Sequence, residues 1–171
     1  STPVTGALWR SEDGGGTWTN IPFPKPDLTR IKSPETVLGS IVTALAIDPK
    51  NPKNLYTNVT VRTQMSIGAT QILFRSRGAI LKSTDSGKTW KEIRPLDERS
   101  YRVLAIDPRD PSTIYAGIER FLLRSTNGGG SWSEVSTVFA PMSLTVDPWD
   151  GAKVYATSGD AILKTSNRGK N

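Results

Sequence analysis

The sequence predicts an all-β fold of repeated four-stranded antiparallel units, and three observations carry the prediction. An eight-residue pattern, S/T-x-D/N-x-G-x-T/S-W, occupies Ser11 to Trp18, Ser83 to Trp90 and Ser125 to Trp132, and Thr165, Asn167 and Gly169 open a fourth copy. A second pattern, an apolar run, an Asp-Pro turn and a further short apolar run, occupies Val42 to Tyr56, Val103 to Tyr115 and Leu144 to Tyr155, with eight residues from Asp to Tyr each time. The two patterns alternate, so that Ser83 to Ser125 is 42 residues and Ser125 to Thr165 is 40. Each pattern reads as a hairpin, and four strands in about 40 residues is the period of a β-propeller blade.

The eight-residue pattern has a physical reading as a tight turn. Its polar third residue (Asp13, Asp85, Asn127, Asn167) bonds the backbone close by, and its fifth (Gly15, Gly87, Gly129, Gly169) supplies the positive φ of the reversal. Its first residue (Ser11, Ser83, Ser125, Thr165) closes the incoming strand; Thr17-Trp18, Thr89-Trp90 and Ser131-Trp132 restart the next, with the indole anchoring the turn. These residues resemble the Asp-box, or BNR, repeat of sialidases, sortilin-type receptors, xyloglucan-degrading glycosidases and the photosystem II assembly factor. The resemblance implies a β-propeller and a structural role for these residues. It leaves function open, because families sharing the repeat do unrelated things.

In chain order, residues 1–21 read as the end of one blade, with strands Gly6 to Arg10 and Trp18 to Ile21 flanking the first turn. Residues 22–40 hold four prolines and read as an inserted loop. Residues 41–94 read as a blade, 100–136 as another and 140–171 as a partial one. The copies differ in length at one place: Tyr115 to Leu123 and Tyr155 to Leu163 are eight residues, whereas Tyr56 to Leu81 is twenty-five. The surplus predicts an inserted hairpin at about 59–77, turning near Ser66 to Ala69. Three to four blades leave a ring open, so the remainder of a longer chain or a second copy is expected to close it; the longer chain is favoured because the last pattern stops before its tryptophan.

Composition narrows the chemistry. The chain has no Cys and no His, which excludes disulfides, thiol chemistry and imidazole bases or ligands, and neither a cofactor nor a metal is expected. Its 22 Lys and Arg outnumber 16 Asp and Glu, but Arg10, Lys82, Arg124 and Lys164 each precede a turn pattern and belong to the repeat. No nucleic-acid partner is expected on that ground, and with no long apolar run, no membrane insertion. The families resembled imply an extracellular or periplasmic setting.

No catalytic residue is assigned. Asp48, Asp107 and Asp147 recur before proline and are read as bonding their own turns. Ser86-Gly87-Lys88-Thr89 imitates the end of a phosphate-binding loop but lacks its opening glycine and following helix. Asp27, Glu35, Asp97, Glu98, Glu119 and Asp160 form no certifiable pair for glycoside hydrolysis and read as solvated loop residues. Val42 to Tyr56 is similar to the opening blade of the xyloglucan-degrading glycosidases, which place an acid a few residues past the tyrosine; Thr57 to Val61 holds none. Asn58-Val59-Thr60 is a glycosylation sequon. The repeat being scaffold, its irregularities are where contact is expected: Arg62, Gln64, Phe74, Arg75 and Arg77 on the inserted hairpin, and Trp149, which stands where other copies carry Lys50 and Arg109. Simple packing of Trp149 against the neighbouring blade is the favoured competing reading. The expected function is a non-catalytic binding or scaffold module recognising a polysaccharide or protein partner through its inserted loops; the alternative is part of a xyloglucanase-like glycoside hydrolase acting on polysaccharide.

Overall fold

A computed structural model describes residues 8–67, 70–136 and 140–170. Among these residues thirteen strands form four antiparallel sheets, each a simple up-and-down meander. The first sheet pairs β1 (Leu8–Arg10) with β2 (Thr19–Ile21); the second orders β3 (Thr36–Ile47), β4 (Leu55–Ile67), β5 (Gln71–Ser83) and β6 (Lys91–Asp97). The third runs β7 (Tyr101–Ile106), β8 (Ile114–Ile118), β9 (Leu122–Ser125), β10 (Ser133–Ser136), and the fourth β11 (Ser143–Val146), β12 (Val154–Ser158), β13 (Ala161–Thr165). Among the described residues the one helical element is a 3-10 turn, Leu28–Arg30, capped by Asp27, whose side chain accepts from the Thr29 amide at 3.0 Å.

The sheets stack face on face, with β7 against β3 and β4, and β11 against β7. That arrangement explains why β8 reads as an unbroken apolar run: it is buried on both faces. Ile114, Ala116 and Ile118 join Tyr56 and Ile80 of the second sheet, whereas Tyr115 joins Leu144, Val146 and Val154 of the fourth. Each fully buried isoleucine or leucine contributes about 1.5–3 kcal/mol of burial. On its far side the second sheet carries a third core of Val59, Val61, Ala79, Leu81 and Leu96, roofed by Phe23, Leu28 and Ile31.

One expectation about the insertions is corrected, and the other takes a definite form. The stretch 22–40 is not a loop throughout: β3 begins at Thr36, two residues after the last proline, and pairs with β4 from Thr36↔Gln64 onward. Its earlier part is a strap lying on the third core. Residues 59–77 form the outer part of the β4–β5 hairpin, continuous with the blade. β4 and β5 stay in one register from Leu55↔Ser83 to Ile67↔Gln71, so the surplus residues lengthen the two middle strands of the sheet. The result is a flap, about 20 Å of strand beyond the level where β6 stops at Asp97. The predicted turn includes Gly68 and Ala69, which lie outside the described residues, as do Gly6 and Ala7 of the first predicted strand.

Candidate functional site

The recurrent acids are occupied within their own turns. Ser83 Oγ accepts from the amides of Asp85 (3.3 Å) and Gly87 (2.8 Å), and Asp85 accepts from the Thr89 amide (2.9 Å) and hydroxyl (2.6 Å). The Thr89 hydroxyl and amide, then the Ser83 hydroxyl, pull the Asp85 carboxyl down to about 2. Ser11 and Asp13 repeat this network with Thr17, and Ser125 and Asn127 repeat it with the Ser131 amide, except that Asn127 donates its own amide N–H to the Ser131 hydroxyl, while Thr165 and Asn167 make its opening bonds to Gly169 and Lys170. Trp18 and Trp132 each donate their indole N–H to the turn glycine's carbonyl at 3.1 Å. Trp90 and Trp132 also pack against cores, whereas Trp18 stays mostly exposed. Asp48, Asp107 and Asp147 accept from the two amides that follow their prolines.

The turn glycines have a second constraint. A side chain on Gly87 would strike Ile21 Cγ2 at 2.7 Å, one on Gly129 would strike Ile93, and one on Gly169 would meet Leu122 and Val135. In every case the neighbour belongs to the preceding sheet, so the glycine is where two sheets close on each other.

Cross-strand pairing sorts the five flap candidates onto two faces. Gln64 opposes Phe74 and Arg62 opposes Ser76, placing Arg62, Gln64 and Phe74 together; Thr63 opposes Arg75 and Val61 opposes Arg77, placing these arginines on the reverse. The reverse face is covered over Arg77 and partly over Arg75. Glu35 takes Arg77 in a bidentate pair (2.6 and 3.0 Å), the Thr63 hydroxyl at 2.9 Å and Arg75 at 3.4 Å, and its side chain is 7% exposed. Burial pushes the Glu35 carboxyl up, but the bonds from Thr63 and Arg77 and the charges of Arg77 and Arg75 outweigh it and hold the group below its ordinary value. The reading of Glu35 as solvated is therefore corrected, and Arg75 and Arg77 serve to fasten the strap to the flap. Sequence position gave no sign of this, since the partners lie 28 to 42 residues apart.

Other acids are fixed as well. Asp97 accepts from the Tyr101 hydroxyl, which in turn accepts from Arg94, and burial followed by the Asp97 charge raises the tyrosine's pKa. Glu98 faces Arg75 and Arg77 at 3.5 and 3.4 Å, while Glu119 and Asp160 are exposed. Asn58 of the sequon is fully buried and bonded to Thr43, Ala44 and the Tyr101 carbonyl, tying the second sheet to the third.

What remains outward on the flap is Arg62, half-buried Gln64, Phe74 at 66% exposure and, missed in the sequence reading, Ile72 at 59%. Trp149 is elsewhere. It sits on the β11–β12 turn, at the opposite end of the sheets from the flap tip, and is 79% exposed rather than packed against a neighbouring sheet. Its carbonyl accepts from Arg109, beside a cleft of about 280 Å³ that Asp107, Asp110, Asp150 and Arg168 also line. Among the described residues no group of three acids is placed to hold a metal ion.

No family model matches the chain. It is 32% identical over 121 residues to xyloglucanase Xgh74A of Acetivibrio thermocellus, covering 63% of this chain and 13% of that protein. Against a xyloglucanase of Hypocrea jecorina it is 31% identical over 123 residues, covering 64% and 13%. The chain thus spans about an eighth of the length of these relatives. Among solved structures, YCF48 bound to D1 peptide matches with a TM-score of 0.50 at 15% identity, over 88% of this chain and 45% of that one. The GH74 xyloglucanase from Xanthomonas campestris matches with a TM-score of 0.50 at 17% identity, over 95% and 34%. With its four meander sheets and these neighbours, the chain has the all-β, β-propeller fold, corresponding to a part of each relative's chain.

Proposed function

We propose that this chain is a non-catalytic recognition module that meets a polysaccharide or a partner protein on the flap of β4 and β5. The observation that carries the reading is the outward flap face, where Arg62, Gln64 and Phe74 stand side by side on paired strands with Ile72 beyond them. A guanidinium, an amide and a ring in one row suit either a sugar face or a protein surface. By contrast, the acid held against the flap's reverse face, Glu35 of the strap, is clamped by two arginines and a threonine, which suits a fastening and not a proton shuttle. Trp149, at the other end of the sheets, takes no part in this surface. An extracellular or periplasmic setting accords with the reading.

Calorimetric titration with xyloglucan oligosaccharides tests the carbohydrate arm, and capture of a protein partner the other. In either, Phe74→Ala and Arg62→Ala are expected to weaken binding roughly 10-fold each. Unchanged affinity in both variants would refute the flap-face assignment. The second reading, part of a xyloglucan-degrading glycoside hydrolase, is favoured by the 32% identity to xyloglucanases. Release of reducing sugar from xyloglucan, lost on substitution of an acid of this chain, would establish it in place of the first.

A further inference from the structure

The flap has an open edge as well as an open face. β4 accompanies β5 along its whole length, Gln71 to Ser83, but on the other side β6 pairs only from Gly78↔Asp97 to Lys82↔Lys91. Over Gln71 to Arg77, no strand among the described residues lies along the outer side of β5. In an antiparallel strand about half the residues turn their N–H and C=O groups to each side, so this seven-residue edge presents a row of unpaired main-chain donors and acceptors. Natural edges are blunted by charged side chains, proline or a covering segment. This one has no proline, its two charges, Arg75 and Arg77, are drawn to Glu35 and Glu98 on one face, and Ile72, Leu73 and Phe74 along it are exposed.

From these observations we infer that the β5 edge from Gln71 to Arg77 binds an extended peptide segment of another protein by strand addition, the segment alternating apolar and acidic side chains. The inference rests on the flap being the contact surface. An added strand continues the line of β6, which leaves the sheet at Asp97. Its residues alternate between the two faces, one beside Ile72 and Phe74, the other beside Leu73, Arg75 and Arg77. The first neighbours select apolar groups. The second select acids: Arg75 is 40% exposed and held only at 3.4–3.5 Å by Glu35 and Glu98, leaving donors for a further carboxylate.

The experiment follows amide exchange by NMR on the full chain with a capped heptapeptide alternating valine and glutamate. Saturable binding should slow exchange of the outward amides within 71–77 by roughly 10-fold or more. A peptide N-methylated on one edge should not protect them, and the lysine-for-glutamate peptide should bind about 10-fold more weakly. No binding, binding that leaves these amides unprotected, or equal binding of the N-methylated peptide overturns the proposal. So does protection that grows with protein concentration alone, which would assign the edge to a second copy. None of these results touches the flap-face reading, which stands or falls on Arg62 and Phe74.

Discussion

Substituting alanine at two glycines of equivalent turns should separate backbone strain from sheet-to-sheet packing. Gly15 and Gly129 hold φ of +101° and +93°, and alanine at either costs about 1–2 kcal/mol in conformation alone. Their surroundings differ. A Cβ on Gly15 would have Trp18 Cζ2 as nearest neighbour at 3.9 Å, ordinary contact, whereas one on Gly129 would overlap Ile93 Cδ1 and stand 3.3 Å from Cγ1 and 3.4 Å from Cβ. Displacing a packed isoleucine adds about 1–3 kcal/mol. Gly129→Ala should therefore cost about 2–5 kcal/mol in urea unfolding at 25 °C, against about 1–2 for Gly15→Ala. Combining Gly129→Ala with Ile93→Ala should recover part of the loss, as a coupling energy of about 1–2 kcal/mol in the double-mutant cycle. Equal costs at the two glycines, or no coupling with Ile93, would refute the claim that the turn glycine is a joint between sheets.

Other outcomes follow from the same packing and hydrogen bonding. Glu35→Gln leaves Arg77 and Arg75 without their carboxylate and should cost roughly 2–4 kcal/mol in unfolding experiments at pH 7. The folded carboxyl titrates below its ordinary 4.5, so its contribution is present above that value and lost as pH falls through the lowered one; the gap between Glu35→Gln and the parent should narrow below pH 4.5. Asn127→Asp should change stability by under about 0.5 kcal/mol, since the Ser131 hydroxyl can donate to the acid as Thr89 does to Asp85. Trp132→Ala should cost about 3 kcal/mol by thermal unfolding and Trp149→Ala under about 0.5, because the first packs in a core and the second is 79% exposed. Secretion from a glycosylating host should leave Asn58 unmodified by mass spectrometry, its amide being buried and bonded on both sides.

The all-β class and its meander sheets were legible because their signals are local: turn chemistry within eight residues, hydrophobic runs of four to six, and a period near 40. The insertions were less so. Aligning repeats measures surplus length at Tyr56 to Leu81, but it does not say whether the surplus folds out as a hairpin or lengthens the strands it interrupts. The deciding interaction is β3 pairing along β4 as far as Thr36↔Gln64, a contact across 28 residues whose only local signal is the distant Asp48-Pro49 turn joining the two strands. The same distance hid Glu35. An acid one residue before the strand start reads as solvent-facing until Thr63, Arg75 and Arg77 are folded over it. Trp149 was visible as a departure from Lys50 and Arg109, but alignment gives no direction to a side chain.

That direction follows from the joints between sheets. Lys50 donates to the Arg109 carbonyl at 2.6 Å, and Arg109 donates to the Trp149 carbonyl, so the cation of each Asp-Pro turn reaches its counterpart one repeat on. Arg124 likewise reaches the Arg168 carbonyl at 3.1 Å. Part of the basic excess is thus scaffold, with Lys82 over the Tyr56 ring and Lys164 over the Tyr155 ring besides. Trp149 ends the series: an indole has one N–H and no charge, and it cannot continue a cation-to-carbonyl contact on equal terms. The far face of the fourth sheet changes with it. The faces that meet a following sheet carry Ala44 and Ala46, then Val103, Ala105 and Gly117, whose missing Cβ admits Pro141. In register with these, the fourth sheet presents Ser143, Thr145 and Thr157. This face is thus more polar than the alanine- and glycine-lined face of the third sheet and nearer to that of the second, where Thr43 and Asn58 bond across the joint to the Tyr101 carbonyl, so hydroxyls here can serve a joint by side-chain hydrogen bonds as well as by packing.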